Sequence, residues 1–280
     1  GVNFSFHLSS LHGFEDSMYL LEGNNPKFKF KVIFTPFIYK IIIAYSSIFQ
    51  PISDYMGKYL EEKNVVNKKK LFSLPVSSIR EKINLHNNHK LSKSPIVVYT
   101  GTLAKERNID FMLRVFSLVN KKSPYTKFRI IGKVEKNTDL KNLYNITKKL
   151  GLDQKLDYIF NAPFSNMFAL ISSCDIGISP IVPTSKYIVS TPSKMVEYMS
   201  CGLPVVCNKE IIDQDKIIQL SGGGFSVPFK EEDFANGIVK LLNNEKLYNR
   251  TSKKAKKWVH ENRTYDNLVA PLIEKYRYFS

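Results

Sequence analysis

Glu197 is the side chain that asks most clearly for a ligand. It lies in the run Thr191-Pro192-Ser193-Lys194-Met195-Val196-Glu197-Tyr198-Met199-Ser200-Cys201-Gly202-Leu203-Pro204-Val205-Val206. The spacing predicts a short helix. Thr191 can cap it, Pro192 suits a first helical position that needs no backbone N–H, and Gly202 can end it in a left-handed conformation. Pro204-Val205-Val206 then opens a buried strand. Met195, Val196 and Met199 read as core, and a carboxylate held among them needs a partner, because unpaired burial is costly. Ligand hydroxyls would serve, and so would a Lys or Arg. By itself the segment reads first as a core helix carrying a salt-bridged Glu, since a helix-to-strand signature fits many α/β folds.

A second cluster is Gly101-Thr102-Leu103-Ala104-Lys105-Glu106-Arg107-Asn108, which joins a strand to a helix. Gly101 allows a tight turn and close approach of backbone to a ligand. Arg107 stands at the helix entrance, where free N–H groups and the dipole favour phosphate and a guanidinium adds a bidentate clamp. An ordinary strand-to-helix turn with a surface Arg explains the same residues, since one glycine is a weak signal.

These clusters fall within a regular alternation of elements. Strand patterns run over Ile96–Thr100, Phe128–Ile131, Tyr158–Phe160, Ile176–Ser179, Val205–Cys207 and Phe225–Val227. Helical patterns over Ile109–Asn120, Leu140–Leu150, Asn166–Ser173, Ser193–Ser200, Ile211–Leu220 and Glu232–Leu242 separate them. Asn108, Thr138 and Ser165 are expected N-caps, and Gly151 a C-cap. Such alternation implies an α/β fold with a mostly parallel sheet covered on both faces, whose ligands bind beyond the carboxyl ends of the strands. Gly101, Gly132, Pro180 and the loop before Ser193 then share one rim.

The first 90 residues hold less: strands at Val2–Phe6, Ile48–Ile52 and Leu71–Leu74, a helix over Phe30–Ala44, and another capped by Ser53. That is about two α/β units, too few for a doubly wound domain. The expected division is 1–90 as a partial N-terminal Rossmann-like domain, 91–262 as a complete C-terminal one, and 263–280 as a helix docking back on the N-terminal part. The chain opens on Gly1 within a strand pattern, so a fragment or processed product is expected.

The chain has 280 residues and a formal net charge of +16, with lysine clusters at 68–70, 121–122, 148–149 and 253–257. Such runs usually form solvated faces, and they also suit an anionic membrane surface or phosphorylated substrates. No nucleic-acid-binding motif accompanies them, so no nucleic-acid partner is expected. The most apolar window, Val32–Phe49, contains Pro36 and Lys40, which argues against a membrane span. Cys174, Cys201 and Cys207 lack paired metal spacing and read as reduced, buried thiols. The Asn-x-Ser/Thr triplets at Asn3, Asn145, Asn249 and Asn262 are expected by chance in a chain this rich in Asn. A cytoplasmic protein, peripheral at the inner membrane face, is the expectation.

Gly101-Thr102-Leu103 with Arg107, followed about 90 residues later by Pro192-Ser193-Lys194-x-x-Glu197-Tyr198-Met199-x-Cys201-Gly202-Leu203-Pro204, resembles the retaining, group 1 (family 4) glycosyltransferases. Ile130-Ile131-Gly132 and Cys174 to Pro180 resemble that family's strands in the same order. The resemblance covers residues 95–262 well and is looser before residue 90, where Pro51 to Met56 is similar to the end of the family's first domain.

It implies a GT-B fold of two facing Rossmann-like domains and a nucleotide-sugar donor, with no cofactor and no metal. The acceptor would be a saccharide or lipid-linked glycan, in cell-surface polysaccharide or glycoconjugate synthesis. By resemblance Glu197 takes the donor ribose and Arg107 the diphosphate, where the family usually has Lys. Gly101, Thr102, Ser193 and Lys194 complete the donor set. Thr102 stands where the family often has Arg, and Lys194 could replace that cation. Val189 stands eight residues before Glu197, where many members carry a second Glu that touches the donor sugar. His7 is similar to the family's cleft-facing histidine near the reacting carbon. His12 is the competing assignment, and position after a strand favours His7. Thr102, Val189 and the short first domain also fit a non-catalytic nucleotide-sugar-binding or scaffold protein.

Overall fold

The structure is a computed structural model describing residues 5–8, 37–79, 90–104, 107–134 and 136–279. His12, residues 2–4 of the first expected strand, 30–36 of the first expected helix, and Lys105 and Glu106 lie outside these residues.

Continuous β-branched and aromatic runs fold into one parallel sheet. Its strands are β3 (Ile96–Thr100), β4 (Lys127–Gly132), β5 (Leu156–Phe160), β6 (Ile176–Ser179), β7 (Val205–Asn208) and β8 (Gly224–Val227). Their order in space is β5-β4-β3-β6-β7-β8. The chain thus starts in the middle, steps outward twice, and returns to the other side of β3. Parallel neighbours need crossovers, and helices supply them. These are α3 (Ile109–Lys122), α4 (Asn137–Lys149), α5 (Phe164–Ser172), the short α6 (Ser185–Ile188), α7 (Ser193–Ser200), α8 (Ile212–Ser221) and α9 (Glu231–Leu242), with α10 (Glu245–Asn262) behind them.

Both sheet faces are core. Val97, Tyr99, Phe128, Ile130 and Ile178 pack under α3 and α9. Val98, Ile131, Val205 and Cys207 pack under α5, α7 and α10. Adjacent residues on opposite faces are therefore both buried, and the strands read as unbroken apolar runs.

Helix ends follow the sequence in part. Asn108, with φ 48°, caps α3 and accepts from Phe111 N at 3.4 Å. Gly151 and Gly202 are left-handed, with φ 66° and 81°. After Gly202 the chain closes with Gly202 N donating to Met199 O and Leu203 N to Tyr198 O, both at 3.0 Å, the double bond of a glycine C-terminal motif. Three expected caps are corrected. Lys136, Pro163 and Pro192 hold the N-cap positions of α4, α5 and α7, none with a side-chain bond. Thr138 and Ser165 lie inside their helices, which begin before the apolar periodicity shows. Pro192 precedes the first helical residue of α7, and Thr191 is drawn into tertiary bonds.

A smaller parallel sheet pairs β1 (Ser5–Leu8) with β2 (Ile48–Pro51). The chain is helical over 37–45 (α1), and α2 (Asp54–Glu62) follows β2, capped by Ser53 through Met56 N at 3.0 Å. The expected strand at Leu71–Leu74 is a looser run, tied to β2 by Phe72 N to Phe49 O and Leu74 N to Pro51 O. Leu8, Ile43, Phe49, Met56 and Leu60 form a separate core. The final helix, α11 (Tyr265–Phe279), returns to this sheet: Tyr276 Oη donates to Ser5 Oγ at 2.7 Å and accepts from Gln50 Nε2 at 3.3 Å. Among the described residues, no helix is long and apolar enough to cross a membrane.

Candidate functional site

The strand order reverses between β3 and β6, and such a reversal opens a crevice at the carboxyl ends of the strands. The two strands register only through Val97↔Ile176 and Val98↔Gly177, and beyond that they part. Successive N–H groups of a strand face alternate neighbours. Gly101 N donates to Ile131 O of β4 at 3.0 Å, so Thr100 N faces the side β6 has left. Tyr198 fills that role. Its hydroxyl accepts from Thr100 N at 2.6 Å and shares a proton with Thr100 Oγ1 at 2.9 Å. The ring is fully buried, and burial pushes the hydroxyl well above the ordinary tyrosine range. Gly177 makes room for it: a Cβ there would lie 2.3 Å from Tyr198 Cδ2.

Tyr198 thereby fixes the roll of α7. Met195, Val196, Tyr198, Met199 and Ser200 are buried. Ser193, Lys194 and Glu197 remain, spaced i, i+1, i+4 on one side of the helix. Ser193 is exposed, and Lys194 and Glu197 are partly so. Glu197 therefore stands at the edge of the core rather than among its methionines.

Across the crevice, Gly101 turns with φ 144°. A Cβ at Gly132 would lie 2.1 Å from Gly101 O, so the end of β4 lies directly against this turn. Thr102 follows, half-buried. Lys194 Nζ stands 4.3 Å from the centroid of the Tyr99 ring, and Arg107 Cζ is 5.2 Å from that of Tyr187. Arg107, Lys194 and Tyr187 line one small pocket with Pro180, Ile181 and Val182. Asn208 Oδ1 holds that loop by accepting from Ile181 N at 2.9 Å. Two cations resting on aromatic faces thus converge where three loops meet, an arrangement that suits a diphosphate.

The other expected residues fall elsewhere. His7 lies within β1, exposed and paired in register with Gln50, rather than after the strand. It belongs to the smaller sheet. Val189 is buried in the smaller sheet's core with Leu8 and Phe49, and its carbonyl accepts from Ser53 Oγ at 2.6 Å. The apolar residue at this position is packing that joins the two sheets. Sequence reasoning missed Tyr99, Tyr187 and Tyr198. Tyr198 sat beside Glu197 in the quoted motif, but its burial followed only from the fold.

Comparison with known proteins bears on this geometry. The family model for group 1 glycosyl transferases matches residues 80–258. An uncharacterized glycosyltransferase of Haemophilus influenzae is 24% identical over 223 residues, spanning 72% of this chain and 58% of that protein. The chain thus covers less than two thirds of that relative. Sucrose-phosphate synthase from Thermosynechococcus elongatus superposes with a TM-score of 0.78 at 14% identity, over all of this chain and 68% of its own. Anabaena HepE in complex with UDP and glucose superposes with a TM-score of 0.75 at 13% identity, over 98% of this chain and 71% of its own. These are GT-B glycosyltransferase structures, and the parallel α/β fold is theirs. With the family model spanning well over half of its residues, this chain belongs to the group 1 glycosyl transferases.

Proposed function

We propose that the chain transfers a sugar from a nucleoside-diphosphate-sugar donor to a saccharide or lipid-linked glycan acceptor with retention of configuration, in cell-surface polysaccharide or glycoconjugate synthesis. The observation that carries this reading is the convergence of Arg107 and Lys194 at the β3/β6 crevice, with Glu197 on the open side of the same helix. Glu197 would accept from the ribose hydroxyls. Gly101, Thr102 and Ser193 would bring the backbone close to the diphosphate. As the glycosidic bond breaks, negative charge grows on the departing diphosphate, and the two cations stand ready to stabilise it. Cations in that role make a metal unnecessary. The reading takes 91–262 as the donor-binding half, 1–90 as part of the acceptor-side half with His7 near the reacting carbon, and 263–280 as the helix that crosses back.

Binding of UDP and GDP, and hydrolysis or transfer of the corresponding sugars, test the proposal. Arg107→Ala and Lys194→Ala should each weaken binding about tenfold or more, the scale of a charge-assisted hydrogen bond. Glu197→Ala should do so for ribonucleotides while sparing inorganic pyrophosphate. Parent-like activity in all three would overturn the site. Donor binding with no transfer, in the full-length gene product, would replace the enzyme by a nucleotide-sugar-binding protein.

A cytoplasmic chain peripheral at the inner membrane face is part of the same proposal. Its support is α1, where Phe37, Ile41 and Tyr45 stand exposed at i, i+4, i+8 beside Ile38. Lys70 Nζ reaches Ala44 O of the same helix, placing the 68–70 lysines nearby. An apolar face edged by lysines suits an anionic bilayer.

A further inference from the structure

The hydroxyl that the sequence offers as a cap for α7 is turned away from it. Thr191 Oγ1 stands 2.5 Å from Asp213 Oδ2 and 3.2 Å from Ile52 O. Thr191 and Asp213 are each 4% exposed, so the contact is dry. Asp213 lies in the first turn of α8. Arg263 Nη2 approaches both of its carboxylate oxygens, at 3.3 and 3.5 Å. Arg263 sits between α10 and α11, and its carbonyl accepts from Ser78 N at 2.7 Å. One carboxylate therefore gathers the entrance of α7, the end of β2 and the crossing into α11.

We propose that Asp213 is a positioning residue for the donor site. By holding Thr191 it sets where α7 begins, and so where Lys194 and Glu197 point relative to the smaller sheet. The inference rests on the donor-site reading above and extends it to the seam between the two sheets. A hydroxyl donating to a buried carboxylate is among the stronger neutral-to-ion bonds. Nothing local competes, because α7 has no side-chain cap of its own. The Arg263 ion pair alone would stabilise the fold without involving the donor helix. It is the Thr191 hydroxyl, shared between Asp213 and Ile52 O, that turns a structural pair into a device for aiming α7.

Thr191→Val keeps the shape and removes the hydroxyl, whereas Thr191→Ser keeps the hydroxyl. Two readouts separate them: amide hydrogen exchange of residues 193–197 in the ligand-free protein, and the Kd for UDP or GDP. Thr191→Val should speed exchange in the first turn of α7 about tenfold and weaken nucleotide binding about five- to tenfold, the scale of one such hydrogen bond. Exchange in α9 should stay at the parent level and reports that the variant is folded. Asp213→Ala should reproduce both effects, the double variant should be no worse than Asp213→Ala alone, and Thr191→Ser should restore both. Parent-like α7 exchange in Thr191→Val, or additive effects in the double variant, would overturn the positioning role. Failure of the parent itself to bind either nucleotide would instead overturn the donor-site reading on which the inference rests. The exchange arm needs no ligand, so the two failures are distinguishable.

Discussion

Tyr198→Phe deletes one oxygen and tests how the rim is built. In the folded chain that oxygen accepts from Thr100 N at 2.6 Å and pairs with Thr100 Oγ1 at 2.9 Å, in a fully buried setting. Thr100 N faces the gap where β6 has parted from β3, so the ladder supplies no replacement acceptor. A buried N–H left without a partner costs about 1–3 kcal/mol, and the lost hydroxyl pair adds about 1 kcal/mol. The expected destabilisation is therefore about 2–4 kcal/mol, a fall in Tm of roughly 3–7 °C for a chain of this size. Thr100→Val is the matched control. It keeps the N–H to phenol bond and loses only the hydroxyl pair, so it should cost about 1 kcal/mol. Urea denaturation of parent, both single variants and the double variant measures the difference. The double variant should be less destabilised than the sum, because both changes remove the same hydroxyl pair. Nucleotide affinity should fall with Tyr198→Phe as well, since the bond holds α7 to the turn at Gly101. If Tyr198→Phe costs no more than Thr100→Val, the phenol is not the acceptor on which Thr100 N depends, and the account of the splayed strands fails.

Two further predictions concern buried thiols and the surface. Burial pushes the Cys174 and Cys201 thiols up to about 11, against an ordinary value of 9.0. A disulfide reagent at pH 8 should therefore label none of the three cysteines of the native chain and all three in guanidinium. A thiol that keeps its proton longer folded than unfolded contributes stability that is complete below pH 9 and lost by about pH 11, on the order of 3 kcal/mol for each. Urea midpoints should accordingly fall between those pH values, and less steeply in Cys201→Ala; an equal slope in that variant would contradict the assignment. Sedimentation with vesicles should show binding to phosphatidylglycerol-containing bilayers and little to phosphatidylcholine. Phe37→Ser/Tyr45→Ser should weaken it several-fold, and equal binding to both bilayers would count against the membrane face.

Much of the fold was legible because its signals are local. Continuous apolar runs fit strands buried on both faces, Asn108 offers a side chain that caps, and Gly151 and Gly202 allow the left-handed residue that ends a helix. The same holds for the rim. Strands that alternate with helices run parallel, so the turns after β3, β4 and β6 must emerge together, with Gly101, Arg107 and Lys194 among them. Local pattern failed where distant partners outbid it. Thr138 and Ser165 carry capping side chains but lie inside helices whose starts are set by packing. Thr191 can cap α7, yet a buried carboxylate 22 residues away takes its hydroxyl.

The sequence by itself determined which elements form, the rim on which their loops gather, and the charged segment around Glu197 that lies on that rim. Only the tertiary structure decided which way α7 faces. Five of its eight side chains are buried, and Tyr198 pins the helix to Thr100 across the opening between β3 and β6. That roll brings Ser193, Lys194 and Glu197 out toward the crevice. Tertiary packing likewise turned Val189 from a missing carboxylate into a bolt between two cores, and made Asp213 the meeting point of three segments. The physical reason is that periodicity encodes the apolar stripe of a helix, whereas its rotation about that stripe depends on hydrogen bonds to residues about 100 positions away.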